Sequence, residues 1–150
     1  MLLKTHLAFA ILLILIFAQH VQSKLIFITA VIIATFLPDL DHTGSTSGRY
    51  MIFRPFQFFV KHRGVIHSIT TAFILSLAVA FFWPLASFGF FLGYSVHLIC
   101  DSFTKEGIQP FWPLKKKTHG PIISGGRIEE TLFVSLVIAN IILFFIIYAI

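Results

Sequence analysis

Histidine and aspartate residues form four short clusters in this chain, and each cluster contains side chains that can bind a metal ion. His97 and Asp101 lie four residues apart, so a helix would place both on one face, where they could bind the same cation. The other clusters are His6, residues 39–42 and residues 62–67. Imidazole and carboxylate ligands together suit zinc, with manganese or iron as alternatives, better than calcium. The four clusters therefore predict a metal centre if the fold brings them together.

The elements that must position these clusters are five apolar segments, at residues 2–21, 25–37, 66–83, 85–100 and 131–150. Hydrophobic residues make up 57% of the chain and charged residues 11%, whereas a typical soluble domain has about 25% charged residues. Because backbone in lipid must satisfy its own hydrogen bonds, each segment is predicted to be a helix. We therefore expect an all-α, polytopic membrane protein, one domain over residues 1–150, built as a bundle of about five transmembrane helices.

Two of the segments have special features. The second is short, because its 13 residues make about 20 Å of helix against a hydrocarbon core of roughly 30 Å. Pro38 follows it directly and is expected to end the helix. The first, with Lys4 before the apolar run and small or polar residues at 21–23, also resembles a secretory signal peptide. His6 at the edge of that run favours a retained helix.

The topology follows from the count of helices. With five spans, the N-terminus and the two long connections, residues 38–65 and 101–130, lie on one side of the membrane. Ten of the eleven lysine and arginine residues fall on that side, and Lys24 is the exception. The positive-inside rule therefore predicts a cell inner membrane protein with its N-terminus in the cytoplasm. The net charge of +5 is then a topology signal, and nucleic acid is not an expected partner.

The polar residues that can do chemistry have the same one-sided distribution. All six acidic residues and six of the seven histidines lie on the predicted cytoplasmic side or at its helix ends. A single histidine at a helix end is usually an interfacial or hydrogen-bonded residue. Eight costly polar groups at one membrane depth favour a functional site instead. The sequence thus predicts a metal site that faces the cytoplasm.

Roles can be assigned to the residues of this site. The predicted metal ligands are His6, Asp39, Asp41, His42, His62, His67, His97 and Asp101. Eight ligands exceed the four of one tetrahedral zinc ion, which implies two or more ions. Asp39 and Asp41 flank a leucine and are expected to face the same side of an extended turn. Asp41 and His62 could be ligands or a general base, and Arg63 is the candidate contact for a substrate anion.

The order of these motifs resembles a known family. The motifs are Thr5-His6, Leu37-Pro38-Asp39-Leu40-Asp41-His42, His62-Arg63-Gly64, His67-Ser68, His97-x-x-x-Asp101-x-x-Thr104-x-x-Gly107 and Pro110. Together they resemble the YdjM-like family of small membrane-bound metal-dependent hydrolases, up to about residue 130. The sequence departs from the family pattern at Val65-Ile66, and this departure leaves the predicted ligands intact. The resemblance implies bound metal and hydrolysis without naming a substrate.

The expected activity is hydrolysis of a phosphoester through metal-activated water. A looser similarity to zinc-dependent phospholipase C favours this substrate class, in a lipid or lipid-linked compound, and membrane lipid is the expected partner. The alternatives are a metal or proton transporter and a non-catalytic membrane protein that metal stabilises. Transport would need polar groups along a path to the other side, for which His20 and Asn140 are the candidates. The oligomeric state stays open.

Overall fold

The computed structural model describes residues 1–41 and 65–149, without the side chains of Asp41 and Ala149. These residues form five α-helices and one short 3₁₀ helix. The helices are α1 (Leu3–Phe17), α2 (Lys24–Phe36), α3 (Ile69–Phe82), α4 (Pro84–Ser102) and α5 (Arg127–Ala149), and the 3₁₀ helix is Leu37–Asp41. No strand occurs among the described residues, which contain two isolated β-bridges. The prediction of an all-α fold is therefore confirmed.

The helix bounds follow the apolar segments, with three differences. α2 ends at Phe36, just before Pro38, as predicted. The turn at Asp39 was expected to be extended, and this was wrong, because Leu37–Asp41 forms a 3₁₀ helix. α1 ends at Phe17, four residues before the end of its apolar segment. His67 precedes α3, which begins at Ile69, instead of starting the helix.

Two helices in the described part of the chain are long and apolar enough to cross a membrane, Pro84–Ser102 and Arg127–Tyr148. Helices α1, α2 and α3 have 15, 13 and 14 residues. At 1.5 Å per residue they span about 20–22 Å, which is less than the hydrocarbon core of roughly 30 Å. The five-span arrangement therefore stays a prediction.

The close packing of α2 against α4 determines the geometry near the site. The two helices run parallel, and Gly93 of α4 lies against the backbone of Val31 in α2. A Cβ atom at Gly93 would lie 2.2 Å from the Val31 carbonyl oxygen, so the glycine is required for this approach. One turn further along both helices, His97 meets Thr35, and a turn beyond that lie Asp101 and Asp39. The spacing at Gly93 thus decides how the site residues meet.

Helix α1 is held against α5 at two levels. Asn140 Nδ2 of α5 donates a hydrogen bond of 2.9 Å to the carbonyl oxygen of Ala8. At the beginning of both helices, Glu129 is fully buried and accepts hydrogen bonds from Leu2 N at 2.6 Å, Thr5 Oγ1 at 2.8 Å and Gly125 N at 2.6 Å. This buried carboxyl therefore sets the position of the first turn of α1, which carries His6.

Candidate metal centre

Five of the eight predicted ligands come together at one end of the bundle. His6, His67 and His97 are fully buried, Asp101 is nearly so, and Asp39 is partly buried. His42 and His62, and the predicted anion contact Arg63, lie outside the described residues, as does the side chain of Asp41. The cluster thus draws on four elements: α1, the 3₁₀ helix, the turn before α3, and α4.

Asp101 is the centre of the cluster, because its two oxygens face different histidines. Oδ1 lies 3.4 Å from His6 Nε2. Oδ2 lies 3.7 Å from both His67 Nε2 and His97 Nε2. The ammonium group of Met1 also pairs with Oδ1. The carboxyl therefore already attracts a cation in this structure, at the position where imidazole nitrogens converge.

Asp39 is a second carboxylate beside His97. Its Oδ1 lies 3.7 Å from His97 Nε2. Within each of two sets, His6 with His97 and Asp101, and Asp39 with His67 and His97, the donor atoms lie within 4.8 Å of one another. Donors held 2.0–2.2 Å from one tetrahedral ion would be about 3.3–3.6 Å apart. The shortest observed spacings, 3.4 and 3.7 Å, are close to this range, and donor pairs separated by up to 4.8 Å would have to move together to hold one ion.

The ring of His97 is oriented by α2. His97 Nδ1 lies 2.8 Å from the carbonyl oxygen of Thr35, and an oxygen acceptor there requires the proton on Nδ1. Nε2 then presents its lone pair to Asp39 and Asp101, and a backbone carbonyl behind the ring is the usual support of a metal-binding histidine. The tautomer suited to metal binding is thus set by the packing of α2 on α4.

Unpaired buried nitrogens are the observation that tests whether a metal fits. Among the described residues, His97 Nε2 and His6 Nδ1 are buried without a hydrogen-bond partner, while His6 Nε2 lies 3.4 Å from Asp101 Oδ1. Their rings stack at 4.0 Å with an angle of 5°, so protonation of both would place two positive charges face to face. Buried polar atoms without partners are costly. A cation bound at His97 Nε2 or at His6 Nε2, beside the Asp101 carboxyl, would remove part of this cost, so the chemistry of these donors fits a divalent metal.

The turn before α3 positions His67. Ser68 caps the helix by accepting a hydrogen bond from Thr71 N at 3.1 Å, and such caps stabilise a helix by about 1 kcal/mol. Tyr94 OH of α4 donates a hydrogen bond of 2.9 Å to the carbonyl oxygen of Ile66. The ring of His67 then meets that of His97 edge-on, with centroids 5.6 Å apart. The turn is therefore tied to α4 on the side where His67 is needed.

The electrostatic setting of Asp39 follows from its burial. Withdrawal from water raises the pKa of the Asp39 carboxyl above its usual range, and the neighbouring Asp101 acts in the same direction. The nearby imidazoles of His6 and His67 oppose this effect on the pKa. Desolvation is the larger influence, as expected for a carboxyl inside a packed cluster.

Three supporting residues had no assigned role in the sequence. Glu129 was counted only among the six acidic residues, and Tyr94 was given no role. Thr35 could not be recognised from its residue type, because its backbone carbonyl oxygen is the group that contacts His97. Tyr94 lies three residues before His97, a spacing that marks their shared helix face. No pattern in the sequence shows that Glu129 contacts Thr5 or that Thr35 contacts His97, because both contacts join distant helices.

The fold and the cluster together define a helical membrane protein with a buried histidine–aspartate site that could bind metal. The chain belongs to the YdjM inner membrane protein family, whose model matches residues 1–150. It is 27% identical over 126 residues to the inner membrane protein YdjM of Escherichia coli (strain K12), and equally to that of Shigella flexneri. The match covers 76% of this chain and 64% of the length of each relative. No solved structure matches the chain.

Proposed function

We propose that this protein is a membrane-bound, metal-dependent hydrolase that acts on a phosphoester of a lipid or lipid-linked compound. The observation that carries the proposal is the buried cluster in which Asp101 faces three histidines, while His97 Nε2 and His6 Nδ1 have no hydrogen-bond partner in the described part of the chain. Such a cluster is costly inside a membrane protein unless it binds something.

The residues of the cluster would hold the metal. His6, His67, His97, Asp39 and Asp101 are the proposed ligands within the described residues, and His42, Asp41 and His62 are further ligands proposed from the sequence. Zinc is the proposed metal, in two or more copies, with manganese and iron as alternatives. When bound, such ions supply a Lewis acid and lower the pKa of a water molecule towards neutrality.

The number of ions is constrained by His97. Its Nδ1 is engaged with Thr35, so it offers one nitrogen, and the two donor sets that share it cannot each take an ion through that atom. Asp101 has one oxygen facing His6 and the other facing His67 and His97. A second ion would therefore depend on Asp101 Oδ1 and His6, together with ligands proposed from residues 41–62.

The remaining chemistry is assigned to side chains known from the sequence alone. Asp41 and His62 are proposed as ligands or as the general base, and Arg63 is proposed to hold the substrate anion. This face is proposed to lie in the cytoplasm, in a protein with five membrane passes and its N-terminus inside, and the positive-inside distribution of lysine and arginine supports this orientation. Labelling of Lys116→Cys and Trp83→Cys proteins from each side of the membrane tests this orientation, because the two positions should be reached from opposite sides.

Transport is the alternative that the helix contacts disfavour. The polar side chain in the middle of α5, Asn140, donates to the Ala8 carbonyl and so joins α5 to α1. A polar path across the bilayer would need more groups of this kind free to contact the cargo. Uptake of metal into proteoliposomes, with no hydrolysis, would contradict the hydrolase proposal.

The deciding experiment measures phosphate release from a panel of phospholipids and nucleotides, with purified protein loaded with zinc or manganese. Turnover of at least one phosphoester by the wild type and its loss in His97→Ala are expected. His20→Ala is the matched control, since His20 is exposed and far from the cluster. Metal retained by the wild type without turnover of any substrate would favour the non-catalytic, metal-stabilised alternative and contradict hydrolysis.

A further inference from the structure

The connection between α4 and α5 is a folded loop. Two β-bridges, Thr104 with Ile122 and Ile108 with Thr118, close it. Ile108 and Thr118 exchange both backbone hydrogen bonds, at 3.1 and 3.0 Å. Gly107, with φ of +64°, lies so close to Thr118 that a Cβ atom would sit 1.9 Å from its carbonyl oxygen. Residues 109–117, which lie between Ile108 and Thr118, form the loop tip.

The loop tip is anchored beside the candidate metal centre. Ile108, at its base, is almost fully buried in the core cluster that contains Tyr94 and Leu98. The carbonyl oxygen of Pro110 accepts a hydrogen bond of 2.8 Å from Ile69 N, two residues after His67. A further turn bond joins Leu114 N to Phe111 O at 2.8 Å. The tip therefore has a defined position next to the turn that carries a proposed ligand.

The exposed surface of the loop tip combines large apolar groups with positive charge. Phe111 is 59% exposed, Trp112 41% and Leu114 65%. The three following lysines, Lys115, Lys116 and Lys117, are exposed as well. The sequence has no acidic residue from position 107 to 128, and no carboxylate in the described part of the chain pairs with these lysines. Three apolar side chains are thus displayed beside an uncompensated positive charge.

We propose that the loop tip binds the anionic phospholipid headgroups of the membrane leaflet that adjoins the metal centre. Both helices that flank the loop are long enough to cross the membrane, so the loop begins and ends at the same membrane face. Aromatic side chains are favoured at the boundary between headgroups and hydrocarbon. Lysines close to an anionic surface each contribute about 1 kcal/mol of attraction.

The combination of groups discriminates between possible partners. An acidic soluble protein or a nucleic acid would pair with the lysines but would leave Phe111, Trp112 and Leu114 in water. A second copy of this chain would bring three more lysines against the first three. An anionic bilayer surface accommodates both features at once, since the apolar groups enter the interface while the ammonium groups meet phosphate. Charge complementarity therefore points to the membrane.

The binding does not depend on hydrolysis. It would keep anionic lipid concentrated beside the turn that carries His67, and it would remain in a protein whose metal centre is inactive. The proposed function and this inference can therefore fail separately. A protein that binds anionic lipid but hydrolyses nothing would contradict the proposed function and leave this inference standing.

Trp112 supplies the readout that tests the binding. The Trp83→Phe protein, in which Trp112 is the single tryptophan, is placed in nanodiscs that contain brominated phosphatidylglycerol or brominated phosphatidylcholine at equal mole fraction. Stronger quenching of Trp112 fluorescence by the anionic lipid is expected, and 0.5 M salt should weaken this preference because exposed charges are screened over about 10 Å or less. Equal quenching by the two lipids, or none, would overturn the proposal.

Charge-removal variants separate the lysines from the rest of the loop. In K115Q/K116Q/K117Q, the preference for the anionic lipid should fall by about fivefold for each lysine removed. Lys105→Gln is the matched control, because Lys105 is exposed in the same loop but lies outside the tip, and it should keep most of the preference. A triple variant with the wild-type preference would also overturn the proposal.

Discussion

His97 and Thr35 are joined by a hydrogen bond of 2.8 Å from the imidazole Nδ1 to the backbone carbonyl. This contact between α4 and α2 turns Nε2 of His97 towards Asp39 and Asp101, at 3.7 Å from each. It depends on the approach of the two helices at Gly93, one turn earlier. Orientation of a ligand by a partner behind it commonly changes metal affinity 10- to 100-fold, so the α2–α4 contact is as important to the centre as the ligands themselves.

Removal of His97 should abolish metal binding. The variant His97→Ala removes the one nitrogen common to both donor sets. Loss of a group that only orients a ligand costs 10- to 100-fold in metal affinity, so loss of the ligand itself should cost about 100-fold or more. Metal analysis of purified protein by mass spectrometry measures this. His20→Ala should retain the wild-type metal content. A wild-type metal content in His97→Ala would show that the site lies elsewhere.

Addition of a methyl group at Gly93 should damage the centre without changing any ligand. The Cβ atom of Gly93→Ala would meet the Val31 carbonyl oxygen at 2.2 Å, which forces α2 away from α4. We expect a loss of about 1–3 kcal/mol in stability, typical of an overpacked core, together with weaker metal binding. Thermal unfolding and metal titration in detergent measure the two effects.

The control for this variant is Ser87→Ala on the same helix. Ser87 donates a hydrogen bond of 2.8 Å to the Pro84 carbonyl and lies in the first turn of α4, at the other end of the helix from Asp101, so its replacement should leave metal affinity unchanged. Tight metal binding by Gly93→Ala would mean that the α2–α4 distance does not set the geometry of His97.

Glu129 should act as a positioning residue for His6. Glu129→Gln replaces one acceptor oxygen by an NH₂ group that faces a donor, either Gly125 N or the pair Leu2 N and Thr5 Oγ1. An unsatisfied buried group of this kind costs about 1–3 kcal/mol. Reduced thermal stability and lower metal affinity are expected, because the first turn of α1 carries His6.

The neighbouring carboxyl provides the comparison. Glu130 pairs with Lys4 at the surface, where ion pairs are typically worth less than about 1 kcal/mol. Glu130→Gln should therefore behave like the wild type in both measurements. If both substitutions change stability and metal affinity equally, Glu129 does not position His6.

Metal removal should lower the melting temperature. A metal present at 100 times its Kd stabilises the folded state by about 2.7 kcal/mol, which for a chain of this size corresponds to roughly 5–10 °C. Addition of a strong chelator to the wild type should produce this shift, and zinc should reverse it more effectively than manganese. His97→Ala should melt at the same temperature with and without chelator. If the chelator lowers the melting temperature of His97→Ala by the same amount, the shift does not come from metal at this centre.

Much of the fold could be predicted, because apolar segments and helix-breaking residues such as Pro38 determine helices through the local sequence. The apolar segments located all five helices, and Pro38 marked the end of α2. The failures were also local in origin: the extended turn at Asp39 was replaced by a 3₁₀ helix, and α1 ended at Phe17. Short apolar runs do not reveal where a helix ends, since capping and tertiary contacts decide the last turn.

Composition and hydropathy were enough to predict a helical membrane protein, and spacing was enough to place its ligand-type residues near helix ends, because each of these signals is local in the chain. Which of those residues meet depends on the tertiary structure. It placed His6 of α1 against His97 of α4, gave Asp101 a different histidine neighbour at each oxygen, and supplied Thr35 and Glu129 as supports. These relations join residues far apart in the chain, and they depend on helix packing at Gly93 and at the α1–α5 contact, which no local pattern encodes.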